Sequence, residues 1–518
     1  MPHFLGLDSS TQSLSAMILD TDSNEIIWDH TINYGSDLAE FNSPNGFLHN
    51  DDPLVKCSDP LMWLAAIDRL FEAAKTASID LSLIEGICGS GQQHGSVYLN
   101  EAFFEGISLD GPETLAEQMR PCLSRHEAPI WMDSSTSVEC QEISTAAGGD
   151  ERLVEISGSR AIERFTGPQI RKFYKNNAKA YDDTRRIHLV SSFICSIMSG
   201  TDASIDFGDG AGMNLLDIAE GQWSDTLVEA TAPDLKEKLP TVVNSGSLVS
   251  TVSTYFVENY GFNSHCEVYT FSGDNPCSLV GMGASTPGTA VISMGTSDTF
   301  FAAMSRPVTD PQGYGHVFGN PAGGFMSLIA FKNGSLAREK VLEKFDLSWA
   351  QFETAILSDT AAGNSGNMML PFYEPEITPN TQTARVELHG DAAFTNWENA
   401  SATVRAIVEA QALNIKIHSA WIGETPTTIR VTGGASQNDG ILQIFADVFQ
   451  AELQRLAIGN SAALGAALMA ANANGAAWTE LIAQFSKTDP ATIKPNPTNK
   501  ELYQEMEKRF KQFISEGS

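Results

Sequence analysis

Two stretches half a chain apart carry the same chemistry. Phe4-Leu5-Gly6-Leu7-Asp8-Ser9-Ser10-Thr11-Gln12 and Val291-Ile292-Ser293-Met294-Gly295-Thr296-Ser297-Asp298-Thr299 each run apolar residues up to a knot of hydroxyl side chains, and apolar residues resume at Leu14 and at Phe300. The pattern predicts a β-hairpin whose tip offers backbone N–H groups and hydroxyls. Converging amide dipoles and Ser/Thr donors suit phosphate oxygens without any cationic side chain. Either copy alone also reads as an ordinary hairpin, but repetition at this separation points to two lobes gripping one polyphosphate. Three further polar clusters close apolar runs: Gly89-Ser90-Gly91-Gln92-Gln93-His94-Gly95, Ser272-Gly273-Asp274-Asn275-Pro276 and Thr432-Gly433-Gly434-Ala435-Ser436. Polar loops at strand ends are where ligands bind, and a diglycine between strand and helix lets a flat ring or a phosphate approach the backbone. Asp274 before Asn-Pro also suits a helix N-cap.

The scaffold expected to carry these clusters is α/β, because strand-like runs alternate with amphipathic helical ones. Asp59-Pro60 opens a helix from about Leu61 to Lys75 with Trp63, Ile67, Leu70, Phe71 and Ala74 on one face. A buried strand covers Ile84 to Cys88, a weakly patterned insertion covers Glu101 to His126, and a strand resumes over Ile130 to Ser135. A strand from Thr427 to Val431 leads into a helix bearing Ile441, Leu442, Phe445, Val448 and Phe449. The chain closes on a helix from Glu501 to Glu516, with Leu502, Met506, Phe510 and Phe513 inward and Glu505 paired to Arg509. The boundary between two domains is expected at about residue 262, giving 1–262 and 263–518.

With 518 residues, 42% hydrophobic and 42 glycines, the chain can bury more than one core. No apolar run approaches the roughly 18–20 residues of a membrane span and no basic leader precedes Phe4, so a cytoplasmic protein is expected. Seven scattered cysteines form no CxxC pair, and His126-Glu127 lacks a second His for a metal motif, so no transition metal is expected. The net charge of −32 argues against nucleic acid and anionic membranes as partners. It also means that a polyphosphate must rely on local N–H dipoles and a divalent cation rather than on long-range attraction. No Gly-Lys dipeptide exists, which excludes a Walker loop, and the isolated Gly281-Met282-Gly283 is not a dinucleotide fingerprint.

Together these segments resemble the FGGY carbohydrate kinases, and within them the eukaryotic-type D-xylulose kinases. The likeness is carried by the first hairpin, Gly91-Gln92-Gln93-His94-Gly95-Ser96, Trp131-Met132-Asp133-Ser134-Ser135-Thr136, Gly158-Ser159-Arg160 through Glu163-Arg164-Phe165-Thr166-Gly167, and Gly273-Asp274-Asn275-Pro276. The second half adds the second hairpin, Phe331-Lys332-Asn333-Gly334-Ser335, Glu376-Ile377-Thr378-Pro379 and the diglycine turn, so the likeness spans nearly the whole chain. Thr432 followed by two glycines, where many relatives carry three, and Met132 between Trp131 and Asp133 both agree with the eukaryotic-type branch.

The resemblance implies two actin-like (ribonuclease H-like) domains with a catalytic cleft between them, closing on a sugar and MgATP. It implies transfer of the γ-phosphoryl group to a sugar hydroxyl, D-xylulose giving D-xylulose 5-phosphate, in a monomer or homodimer. Asp274 is then the general base. His94, Arg164, Asn275, Gln93 and Asp133 are carried over as sugar-side residues, His94 as a hydrogen-bond donor to ketose oxygens. Thr11, Gln12, Gly295 and Thr296 would hold phosphates, and Trp349, Gly434, Ala435 and Asn438 the nucleoside. Asp8 would orient the Mg²⁺ hydration shell through water.

Plainer readings stand beside these. The threonines stabilise turns, Trp349 is core, His94 is a satisfied side chain, and Arg164 is a helix-surface ion pair with Arg160 as a rival for its role. Another ketose or polyol such as L-ribulose or glycerol is the alternative substrate, since fold does not fix it. A non-catalytic sugar sensor could dispense with Asp274, and a chaperone-type ATPase would need a peptide-binding domain for which no residues are left.

Overall fold

The computed structural model describes residues 2–457 and 459–515. It divides into two compact units, one of Met1–Ser285, Val317–Met326 and Ile458–Lys487, the other of Thr286–His316, Ser327–Ala457 and Thr488–Ser518.

In the first unit β1 (His3–Ser9), β2 (Ser13–Asp20) and β3 (Glu25–Asn33) form an antiparallel meander. Every residue of β1 is buried, which is why its sequence runs apolar on both faces, whereas β3 is a mostly exposed edge with Glu25, Asp29 and His30. β4 (Ile84–Gly91) lies parallel to β1, with Asp8 opposite Ser90 and Ser9 opposite Gly91. β5 (Leu248–Thr251) pairs antiparallel with β6 (Glu267–Tyr269), which is parallel to β4, so the order is β5-β6-β4-β1-β2-β3. The two-residue β7 (Ser272–Gly273) runs parallel beside the end of β4. Helix Pro60–Thr76 begins as expected, with Asp59 accepting the Leu61 N–H and burying Trp63, Ile67, Leu70, Phe71 and Ala74.

Close helix crossings hold helix Asp274–Gly281 in place. The Ala-rich helix Ser461–Ala473 packs on it and on β1 through glycines. A Cβ on Gly281 would sit 1.9 Å from the Ser461 carbonyl oxygen, one on Gly465 1.8 Å from that of Cys277, and one on Gly6 2.0 Å from that of Ala463.

The second unit is built on β8 (Thr289–Met294), β9 (Asp298–Met304), β10 (Phe325–Phe331), β11 (Thr428–Thr432), β12 (Glu452–Leu456) and β13 (Thr488–Ile493). These six neighbour one another in the order β10-β9-β8-β11-β12-β13. β8 and β9 are an antiparallel hairpin, β11 is parallel to β8, β12 is parallel to β11 and β13 is antiparallel to β12. This repeats β3-β2-β1-β4-β6-β5 position by position, so the doubled motif of the sequence belongs to a doubled sheet.

Four expectations are corrected. The first unit runs to Ser285, past the boundary expected at 262, because β7 pairs with β4 and helix Asp274–Gly281 packs on Ser461–Ala473. Asp274 therefore belongs to the first unit. Residues 130–135 form a turn rather than a strand, since the Asp133 carboxylate captures the Ser135 N–H at 3.0 Å; only Ala128–Pro129 is extended. The supposed insertion contains helices Ala102–Gly106 and Leu115–Met119, whose Phe103, Leu115 and Met119 join the core. Helix Lys500–Ser515 turns Tyr503, Met506 and Phe510 inward and leaves Leu502 exposed, while Glu505 pairs with Lys508 and Arg509 donates to the Gly366 carbonyl. Its expected last residue, Glu516, lies outside the described residues. All seven cysteines are free and buried, in keeping with the packing role read from their spacing.

Candidate active site

Three parallel strands, β1, β4 and β7, end together in the first unit, so the polar residues that follow them cluster at one edge of the sheet. Asp8 is buried there, with Oδ2 accepting from Ser10 Oγ and Oδ1 from Ser90 Oγ, both at 2.5 Å. Burial pushes its carboxyl above the usual range, and the two hydroxyls act against that rise. Asp274 follows β7 as the first residue of its helix. Gly273 is the cap, and the Asp274 side chain does not cap the helix. Its Oδ1 instead accepts from the Gln93 N–H at 3.3 Å, the Asn275 N–H at 2.8 Å and Asn275 Nδ2 at 3.0 Å. Burial first, then the negative charge of Asp8, raise Asp274 to about 7 against the pull of those N–H donors. A carboxylate poised there can accept a proton near neutrality.

The loop after β4 brings in His94, in the left-handed region at φ 71° and buried. Its Nδ1 lies 2.7 Å from the Gly212 carbonyl oxygen. A carbonyl only accepts, so Nδ1 carries the proton. Burial, then the Arg164 guanidinium, hold the ring down at about 3, so it stays neutral and Nε2 is an acceptor. The atom that His94 leaves free is thus a hydrogen-bond acceptor, not the donor implied by the resemblance. Arg164 lies in the turn before helix Thr166–Asn176, rather than on a helix surface. Its guanidinium is 5.8 Å from the Phe165 ring centroid, and that ring packs 4.4 Å from His94. Arg160 pairs with Asp150 at 3.1 Å.

Gln93 lies beneath this surface, with Oε1 accepting from Asn275 Nδ2 at 2.8 Å. Asp133 is similarly buried, its carboxylate taking Ser135 N–H and Oγ, Gln169 Nε2 at 2.8 Å and the Lys56 N–H at 3.0 Å. These bonds pin the 130–135 turn. At the hairpin tip, Thr11 Oγ1 accepts from Trp131 Nε1 at 2.7 Å, and the exposed Gln12 takes the Tyr34 N–H on its carbonyl.

In the second unit Thr296 is exposed at the tip between β8 and β9, and the Ser335 N–H donates to the Gly295 carbonyl at 3.0 Å. Gly433, at φ +89°, lies against β8. A Cβ there would be 2.5 Å from the Met294 carbonyl oxygen, so glycine is what lets the diglycine turn sit beside the tip. Next to both is a cavity of about 530 Å³ lined by Ser335, Glu339, Trp349, Glu353, Gly434 and Asn438, with Ala435 also on its wall. Its size falls in the range of about 300–1,000 Å³ of small-molecule sites. Trp349 opens helix Trp349–Thr354 and is 42% exposed, so it is a wall of this cavity and not core. The backbone at Gly434 faces open space. Asn438 caps helix Asp439–Phe449 through Oδ1. A pair that sequence reading missed braces the tip: the fully buried Arg338 bonds Asp298 at 3.1 Å, Gln411 at 2.8 Å and Ser335 Oγ at 3.0 Å. Forty residues separate Arg338 from Asp298, and no local spacing marks the partnership.

The N-terminal domain of the FGGY family of carbohydrate kinases matches residues 119–281, and the C-terminal domain of that family matches residues 290–474. The sequence is 39% identical to the xylulose kinase of Rattus norvegicus over 98% of this chain and 95% of that one. The chain belongs to the FGGY family of carbohydrate kinases. It is also 39% identical to xylulose kinase 2 of Arabidopsis thaliana, over 90% of this chain and 87% of that one. The crystal structure of xylulose kinase from Rhodospirillum rubrum shares its fold, with a TM-score of 0.83 at 19% identity over 99% and 98% of the two chains. The N-terminal FGGY match contains Asp274, in agreement with the extent of the first unit. Among the described residues, no helix of this FGGY kinase is long and apolar enough to cross a membrane.

Proposed function

We propose that this FGGY kinase transfers the γ-phosphoryl group of MgATP to D-xylulose, forming D-xylulose 5-phosphate. The observation that carries the reading is Asp274, a half-buried carboxylate raised to about 7 at the ends of three parallel strands, hydrogen-bonded to Asn275 and to the Gln93 N–H of the loop that carries His94. Asp274 accepts the proton of the attacking hydroxyl as the new P–O bond forms and the bond from the γ-phosphorus to the departing ADP oxygen breaks. A carboxylate suffices because phosphoryl transfer is loose and needs little deprotonation early. His94 Nε2 and Asn275 Oδ1 accept hydrogen bonds from the sugar hydroxyls, and Arg164 donates to its oxygens.

The nucleoside fits the second unit's cavity, with Trp349 offering an aromatic face and the bare backbone at Gly434 admitting close approach. Thr11 and Gln12 at one tip, and Gly295 and Thr296 at the other, supply phosphate-binding N–H and hydroxyl groups. Both Asp8 oxygens already accept a serine hydroxyl, so Asp8 fits a Mg²⁺ ion through the ion's waters. The bound ion would neutralise charge on the phosphates.

D-xylulose is favoured over other small sugars by the names of relatives 33–39% identical over most of their length, among them the xylulose kinases of Rattus norvegicus, Mus musculus, Arabidopsis thaliana and Schizosaccharomyces pombe. A coupled ADP-release assay over D-xylulose, L-ribulose, D-ribulose, glycerol and gluconate tests it. D-xylulose is expected to lead in kcat/KM by about tenfold or more, equal to about 1.4 kcal/mol of transition-state discrimination. A different winner would reassign the substrate. No turnover of any of them would sink the kinase reading.

A further inference from the structure

We propose that Asp209 is a positioning residue which, through the Gln93 amide, fixes the atoms that Asn275 presents to the sugar. This rests on Asp274 and Asn275 acting at the sugar, as proposed above. Asp209 is buried in the short helix Phe207–Gly210, which Asp206 caps by accepting the Asp209 N–H at 2.7 Å. Ser191 Oγ occupies Asp209 Oδ2 at 2.5 Å, which leaves Oδ1. That oxygen and Gln93 Cδ lie 2.7 and 3.0 Å from the point a Cβ on Gly273 would take, so the two side chains meet directly behind the residue preceding Asp274. Gln93 Nε2 and Asp209 Oδ1 are both buried, and neither has a hydrogen-bond partner within 3.5 Å among the described residues, so each is the polar atom left for the other on a small approach. The amide faces the acid, and its donor works against the rise that burial imposes on the Asp209 carboxyl.

Hydrogen-bond polarity then runs one way along the chain of groups. Asn275 Nδ2 donates to Asp274 Oδ1 at 3.0 Å and to Gln93 Oε1 at 2.8 Å. With Oε1 turned to Asn275, Gln93 Nε2 must face Asp209. Asp209 Oδ1 accepts whether the acid is ionised or carries its proton on the oxygen toward Ser191. A flipped Gln93 would set donor against donor at Asn275 and acceptor against acceptor at Asp209. Asp209 thus locks the amide, and Asn275 Oδ1 is the side-chain atom kept for the ligand. Nothing in the spacing of the sequence ties residue 209 to residue 93; the fold brings them together.

A double-mutant cycle at Gln93 and Asp209 in the full chain, run with the sugar that leads the substrate panel, tests the assignment. Asp209→Ala is expected to lower kcat/KM by about tenfold or more in the wild-type background but less than about twofold in Gln93→Ala. Asp209→Asn, which keeps an acceptor for Gln93 and can turn its amide onto Ser191, should recover most of the activity. Asp209→Ser replaces the alanine variant if that one does not fold. Equal activity losses in the two backgrounds, or an asparagine variant no better than alanine, overturn the assignment. Wild-type turnover by Asp274→Asn would instead overturn the reading of Asp274, whatever the cycle shows.

Discussion

Asp274→Asn separates catalysis from stability, and the two should move in opposite directions. Asp274 sits at about 7 against an ordinary 3.8, a rise caused first by burial and then by Asp8. At about 1.4 kcal/mol per unit, a rise of about three units makes ionising this group in place cost about 4 kcal/mol more than in water, an upper bound because the site can relax and hydrate. Between about pH 4 and 7 the folded protein keeps a proton that the unfolded chain has released. The sign follows: this group erodes stability as pH rises through that window and imposes a constant penalty above it. Asparagine keeps an oxygen for the Gln93 and Asn275 N–H donors and removes the charge. The variant should therefore be more stable than the wild type at about pH 8, by about 1–4 kcal/mol, and no more stable near pH 4. Urea titrations at the two pH values measure the difference. In the same variant turnover should fall about a hundredfold or more, and wild-type kcat/KM for the sugar should drop tenfold per pH unit below about 7. A wild-type limb near pH 4, together with a variant no more stable at either pH, would refute the account of a desolvated, Asp8-coupled base.

The two hairpins were legible because their chemistry is local. Asp8 to Gln12 and Gly295 to Thr299 sit on consecutive residues, and an apolar run flanks each of them on both sides. The diglycine turn and the start of helix Pro60–Thr76 were legible for the same reason. The 130–135 turn was misread because Ile130-Trp131-Met132 is apolar enough for a strand. Asp133, which takes the local Ser135 N–H and also the Lys56 N–H 77 residues away, overrides that propensity. The domain boundary was misplaced because β7 is only two residues long, too short to leave a pattern, yet it ties Asp274 to β4. The polarity of His94 was not legible, since its tautomer is set by the Gly212 carbonyl 118 residues on. The Arg338–Asp298 brace and the Asp209–Gln93 contact escaped for the same reason: each joins residues whose proximity only the folded sheet creates.

Two further outcomes test each unit by itself. Trp349→Ala removes the aromatic wall of the second unit's cavity and should raise the KM for ATP by about tenfold while leaving the KM for the sugar within about twofold; parallel changes in both would deny Trp349 a nucleoside role. Gly465→Ala tests whether the catalytic helix is held by backbone contact. The added methyl would meet the Cys277 carbonyl oxygen at 1.8 Å and its carbon at 2.7 Å, atoms that belong to helix Asp274–Gly281 and cannot swing aside as a side chain tip could. That helix must shift bodily, at a cost of about 1–3 kcal/mol or more. Because Asp274 is its first residue, kcat/KM should fall with the thermal midpoint, whereas the KM for ATP, whose nucleoside is proposed to lie in the second unit's cavity, should change less. A Gly465→Ala protein with wild-type midpoint and kcat/KM would show that the crossing has slack, and that Asp274 is positioned by its hydrogen bonds to Gln93 and Asn275 alone.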